Sequence, residues 1–239
     1  MKQLEQQMTS LRLHGMERSW KALVETRRQH ELTLNEGLEV LLQAELQDRE
    51  NKRFERLRKS ARFRYQASIE ELYIDASRGF DKELISNLAT GDFLTKGESI
   101  LITGASGCGK SYLASALGHQ ACVHGYKVAY FNAQKLFLKT KLSRVEGTII
   151  NFLENLAKTK LLILDDFGLA HLEHQQRMDF LEIIEDRHGK ASTIIASQLP
   201  VENWYDIIGE ETIADAILDR LVHTSHRIEL RGESLRKKR

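Results

Sequence analysis

Long apolar stretches are missing from this sequence. No run reaches the roughly 20 residues that a membrane-crossing helix needs, and no cleavable leader pattern opens the chain, which predicts a cytoplasmic protein with no membrane partner. Cysteine is scarce: only Cys108 and Cys122 occur, in no metal-ligand spacing. That excludes a thiolate metal centre and a disulfide scaffold, and predicts free thiols in a reducing compartment. Two histidine pairs, His171/His174 and His223/His226, lack further ligands around them and are set aside as metal sites. There is a single proline, Pro200, and neither charge sign is in excess, the formal net charge being +1. No internal repeat or low-complexity segment is present. The 239 residues, 41% hydrophobic and 29% charged, suffice for a medium globular domain plus a smaller one.

What is present is organised around residues 104–111. Gly104, Ala105, Ser106, Gly107, Cys108, Gly109, Lys110 and Ser111 follow the apolar run Ile100-Leu101-Ile102 and open a helical pattern. The spacing of a glycine, four residues, then Gly-Lys-Ser is that of a phosphate-binding loop. A polyphosphate needs several backbone N–H groups converging on its oxygens, and glycines let the chain curl tightly enough to supply them. Lys110 then reaches the β- and γ-phosphates, Ser111 ligates Mg²⁺, and the following helix adds its dipole. ATP with Mg²⁺ is the expected ligand pair. Cys108 occupies a variable position of the loop.

Residues 1–67 read as a helical amino-terminal domain that binds DNA or a partner. Thr33 and Glu36 fit a capping box. The helix they open carries Leu34, Leu38, Leu41, Leu42 and Leu46 on one face, then turns basic through Arg49, Lys52, Arg53, Arg56, Arg58, Lys59, Arg62 and Arg64, with only Glu50 and Glu55 among them. Such a run serves either as a solvated helix face or as a contact for a phosphate backbone, and the shortage of acids favours the second. Residues 68–97 read as an irregular linker that packs on the next domain and partly covers the nucleotide base. Residues 98–239 alternate β and α patterns, with strands expected at 99–103, 127–131, 161–165, 193–197 and 226–230. The continuous apolar runs Leu161-Leu162-Ile163-Leu164 and Ile194-Ile195-Ala196 suit strands buried on both faces, hence an α/β fold with a five-stranded parallel sheet between helix layers.

The second constellation is Leu161-Leu162-Ile163-Leu164-Asp165-Asp166. An apolar strand ending in two acids projects them at the carboxyl edge of the sheet, where such sheets bind ligands. Asp165 would support the metal and Asp166 would orient the attacking water. Gln198, with Ser197 behind it, ends the next buried strand, where a polar side chain can sense the γ-phosphate. Arg220 ends an amphipathic helix. It either reaches a neighbouring copy's γ-phosphate or pairs with Asp215 or Asp219 in its own chain. Lys135 and Lys139 share a helix face and offer a second DNA contact or an ordinary surface. Arg236 begins a basic tail.

These residues together resemble the AAA+ ATPases of the DnaC/DnaA-like clade, and more closely the IstB-type transposition helpers. The likeness is carried by residues 104–111, 161–168 (LLILDDFG), 193–200 (TIIASQLP), 201–208 (VENWYDII), 213–221 (IADAILDRL) and 226–236 (HRIELRGESLR), and by Leu11-Arg12-Leu13-His14-Gly15-Met16 at the start. It implies an AAA+ αβα domain with a small or truncated lid, ATP-dependent self-assembly into a ring or helix on duplex target DNA, and delivery of that complex to a partner transposase. In that pattern Asp166 stands where glutamate is common, Gln198 falls at the first sensor, Arg220 at the trans arginine finger and Arg236 at the second sensor. A helicase loader of the same clade, and a DNA scaffold that binds ATP without turnover, are the competing implications.

Overall fold

The computed structural model describes residues 2–73 and 75–235, which divide between Arg56 and Leu57 into two compact units. The first contains α1 (Lys2–Ser10), α2 (His14–Glu25), a 3-10 turn (Arg28–His30) and most of α3 (Leu34–Ala61). The capping box forms: Thr33 N donates to Glu36 Oε2 at 2.8 Å, and Glu36 N donates to Thr33 Oγ1 at 3.4 Å. Met8, Leu23 and Leu41 are buried together, with Leu13, Met16, Trp20 and Leu32 around them. Of the expected leucine stripe only Leu41 is buried, whereas Leu34, Leu38, Leu42 and Leu46 are exposed.

Helices α2 and α3 approach closely at Gly15. A Cβ there would sit 2.4 Å from Ala44 O and 2.6 Å from Glu45 Cα. The Glu45 carboxylate accepts from Gly15 N at 2.8 Å and Met16 N at 3.3 Å, so an anion caps the positive end of α2. Its other oxygen accepts from Arg49 Nε at 2.7 Å. Burial pushes the Glu45 pKa up, but Arg49, Met16 and Gly15 outweigh it and hold the carboxyl below its ordinary value.

The second unit holds the end of α3 and all that follows. Helix α3 stops at Ala61, and Arg62 takes the left-handed conformation at φ 57°, so the expected helix through residue 67 is cut short. Residues 68–97, irregular in sequence, contain α4 (Lys82–Ala89), capped by Asp81, and α5 (Asp92–Lys96). Then come β1 (Ser99–Gly104), α6 (Lys110–Val123), β2 (Val128–Asn132), α7 (Ala133–Val145), α8 (Ile149–Ala157), β3 (Leu161–Phe167), α9 (His174–Arg187), β4 (Ser192–Ser197), α10 (Trp204–Ile208), α11 (Glu211–Val222) and β5 (Ser225–Leu230). Among the described residues these strands form one five-stranded parallel sheet, in the order β2-β3-β4-β1-β5.

Alternation along the strands serves two layers. Leu101, Leu162, Leu164 and Ile195 enter a core with Phe137, Leu153, Phe180, Ile217 and Trp204 from the following helices. The intervening Ile100, Ile102, Ile163 and Ile194 are equally buried, and Ile163 Cδ1 lies against Gly118 of α6 on the other face. Each such large apolar side chain contributes about 1.5–3 kcal/mol by burial. At the amino edge Arg187 is buried and donates to Thr159 O at 2.7 Å, Thr193 Oγ1 at 3.1 Å and Ser192 O. Burial pushes its pKa down to about 9, so it stays charged at neutral pH.

Two outcomes are expected for the first unit. Gly15→Ala should destabilise it by about 1–3 kcal/mol through overpacking, read by hydrogen exchange as lost protection in α2 while β1 and β4 keep theirs. The Glu45 contribution is fully present above about pH 4.5 and is lost as pH falls through the lower folded value. Protection of α2, corrected for intrinsic exchange rates, should therefore drop on acidification in the wild type, and already be low at pH 7 in Glu45→Gln.

Candidate functional site

The loop between β1 and α6 turns at Gly104, Gly107 and Gly109, all with positive φ. Side chains are barred at two of them by contact as well as by backbone angle. A Cβ on Gly104 would lie 2.0 Å from Leu230 O, and one on Gly107 would lie 2.1 Å from Ser234 Oγ. Ala105 and Ser106 are exposed at the loop's crest, and the Cys108 thiol is buried beneath it. Lys110 is largely buried and donates to Gly104 O at 2.7 Å and Ala105 O at 2.8 Å, so its ammonium lies within the curl of the loop.

Ser111, at the start of α6, donates to Asp165 Oδ1 at 2.9 Å. Asp165 is wholly buried, and the same oxygen also accepts from Asp166 N at 3.0 Å. Its other oxygen accepts from Tyr130 OH at 2.5 Å and Arg64 Nη1 at 3.1 Å. Burial first, then the hydrogen bond to Asp165, raises the Tyr130 pKa well above its ordinary value, so the phenol stays a donor. Asp166 sits at φ 56°, where the β3–β4 register shifts between Leu164 and Phe167. This irregularity turns its carboxylate out of the strand, a use of bulges found beside active sites. Asp166 Oδ2 accepts from Asn132 Nδ2 at 3.1 Å and Arg64 Nη1 at 2.9 Å. Burial works against the Arg64 charge, but the bonds to Asp165 and Asp166 and the neighbouring Tyr65 outweigh it and hold the group firmly protonated.

The donor set fits a magnesium–triphosphate ligand: a hydroxyl and a buried carboxylate 2.9 Å apart, a lysine, and a glycine-shaped cradle at a helix N-terminus. Among the described residues no group of three or more His, Cys, Asp or Glu could hold a metal by itself, so here the ligands would have to include phosphate oxygens. Two segments flank the loop. Leu235 N donates to Gly107 O at 2.9 Å, Arg231 N to Arg78 O at 2.8 Å, and Arg78 Nη2 to Glu233 O at 2.8 Å. Phe80 reaches Gly109, and beside it runs a groove of about 490 Å³ lined by Ala76, Gly79, Phe80, Asp81 and Lys82. A larger groove, about 750 Å³, is lined by Tyr205, Asp215, Asp219 and Arg227, away from the phosphate loop.

Gln198 is exposed just past the end of β4, whereas Ser197 is buried and tied to Phe167 O and Leu199 N. Arg220 does not pair with Asp215 or Asp219. It donates to Ala216 O at 2.7 Å and to Glu185 Oε1 of α9 at 2.8 Å. It lines a small cavity with Gly97, Ser99 and Thr193, at the amino edge of the sheet. The phosphate loop leaves the carboxyl edge, about 17 Å of strand away. Arg236 lies outside the described residues. In α3, Arg49 is engaged by Glu45, and Lys52 by Asp48 at 2.7 Å, acids that lie just before the basic run. Arg53, Arg56, Lys59 and Arg62 are exposed, as are Lys135 and Lys139 on α7.

Sequence reasoning missed Arg64, Tyr130 and Asn132 as members of the site. For the last two a signal existed: alternate residues ending β2 point to one side, and both have polar tips beside the β3 acids. Arg64 was hidden in the basic run.

Residues 6–239 match the family described as IstB-like ATP binding protein. The chain is 43% identical over 230 residues to the insertion sequence ATP-binding protein y4pL of Sinorhizobium fredii, covering 96% of this chain and 94% of that one. It is 29% identical to the ATP-binding protein of insertion sequence IS21 of Pseudomonas aeruginosa, covering 100% and 90%. Among solved structures, the DnaC helicase loader superposes with a TM-score of 0.60 at 21% identity, over 70% of this chain and 98% of that one. The replication initiator DnaA bound to AMPPCP and single-stranded DNA gives 0.60 at 20%, over 72% and 52%. With a family match across almost its whole length, this chain belongs to the IstB-like ATP-binding proteins of insertion sequences.

Proposed function

We propose that this protein is an ATP-dependent helper of DNA transposition, which assembles on target DNA as copies joined through ATP, recruits a transposase, and uses hydrolysis to end the assembly. The observation that supports it most is the junction of Ser111 and Asp165 beside Lys110 in a chain whose insertion-sequence relatives align over almost its full length.

In this reading Lys110 and the loop N–H groups bind the β- and γ-phosphates. A magnesium ion held by Ser111 and Asp165 would neutralise charge on the transferring phosphoryl group. Asp166, steadied by Asn132, orients the attacking water, and Gln198 senses the γ-phosphate. The groove beside Phe80 takes the base. Arg220 faces away from its own loop by the length of the sheet, so an arginine there serves a neighbouring copy, held ready by Glu185. The exposed arginines and lysine of α3 past Lys52, joined by Arg62, with Lys135 and Lys139, supply contacts to the DNA backbone. Arg49 and Lys52 belong to the same run, each beside an acid of its own helix.

Lys110→Ala should keep its fold and lose nucleotide-dependent binding to duplex DNA in a gel-shift assay. Wild-type DNA binding that is indifferent to ATP would contradict the reading. Arg220→Ala and Asp166→Asn should each lower turnover by about 100-fold or more, and mixing the two should restore part of it, because a mixed interface pairs an intact arginine with an intact aspartate. No recovery on mixing would remove the trans role of Arg220.

A further inference from the structure

We propose that Arg64 is a built-in counter-ion for Asp165 and Asp166, which a magnesium–nucleotide complex must displace, so that nucleotide binding frees the segment at the end of α3. The inference rests on the nucleotide site proposed above and adds a competitor to it.

Two adjacent carboxylates, one wholly buried, need a positive partner. Here it comes from the chain itself: one nitrogen, Nη1, lies 3.1 Å from Asp165 Oδ2 and 2.9 Å from Asp166 Oδ2. All of the donors to Asp165 are accounted for by Ser111, Asp166 N, Tyr130 and Arg64 among the described residues. A dication held by Ser111 and Asp165 would repel the guanidinium, which grips the other oxygen of the same carboxylate. Of the four donors only Arg64 is both charged and built to leave. It grips with a single nitrogen rather than the two-pronged geometry of a firm arginine–carboxylate pair, and its side chain is 40% exposed.

Its neighbours make the departure consequential. Phe63 meets the Tyr130 ring edge-on, with centroids 6.2 Å apart, and lies over Gly118 of α6. Tyr65 faces Tyr112, next to Ser111, at 6.1 Å. Tyr130 thus touches both Phe63 and Asp165. Residues 62–65 are seated on the phosphate-loop helix and on β2, with Arg64 as their charged contact. They directly follow the end of α3, which carries Lys59. Exchange of one cation for another at the aspartates therefore changes how that stretch is anchored.

Binding of a fluorescent ATP analogue to the full-length protein, with Mg²⁺ and with EDTA, tests this. In Arg64→Ala the ratio of the two dissociation constants should widen by roughly tenfold in favour of Mg²⁺, with Arg64→Lys in between. An unchanged ratio, or weaker Mg–nucleotide binding, as a phosphate-contacting arginine would give, overturns the proposal. Hydrogen exchange on the wild type supplies a second readout that needs no variant. Mg–ATP should raise exchange across residues 62–66 while protecting α6, and added protection at 62–66 overturns it. Failure of the wild type to bind nucleotide at all would instead refute the nucleotide site itself.

Discussion

A carboxylate with no exposure to water has to be surrounded by donors, and Asp165 meets that requirement by drawing four parts of the second unit together. Ser111 brings the phosphate-loop helix, Tyr130 brings β2, Asp166 contributes its own backbone, and Arg64 brings the chain that leaves α3. The β1–β4–β3 order makes this possible, since it places the loop after β1 and the acids near the carboxyl end of β3 on the same edge with one strand between them. Breaking any one of these bonds leaves a buried charge short of a partner, which is costly.

Much of this was legible in the sequence. The five strands lie within about two residues of the expected positions, and β3 and β4 stand out because a strand covered on both faces reads as a continuous apolar run. The phosphate loop was legible because its glycines answer a steric demand: Leu230 and Ser234 close over Gly104 and Gly107. What was not legible depended on contacts distant in sequence. Arg64 lies 101 residues from Asp165 and sits among other basic residues, so nothing local separates it from them. Helices α4 and α5 are short, and their stability comes from burying Ile85, Leu88, Phe93 and Leu94 rather than from a long repeat. The leucines of α3 fit a helical repeat but belong to a small core that accommodates only Leu41.

The two ends of the sheet carry different chemistry. Phosphate-binding groups gather at the carboxyl edge, while Arg220 and the buried Arg187 stand at the amino edge, each fixed by the hydrogen bonds around it. A molecule polarised in this way is suited to stacking head to tail, one copy's arginine against the next copy's phosphate loop, and such heterologous contacts build rings or helices rather than two-fold dimers. In the assembly proposed above, the basic residues of α3 would offer a polyanion a surface.

The central claim is that Mg–ATP bound at this edge joins copies of the protein around DNA. The most direct measurement is the mass of the wild-type complex in solution, by sedimentation or mass photometry, with duplex DNA and Mg–ATP together and with each omitted. The account expects large assemblies only when both are present. A protein that stays monomeric when saturated with both would contradict it.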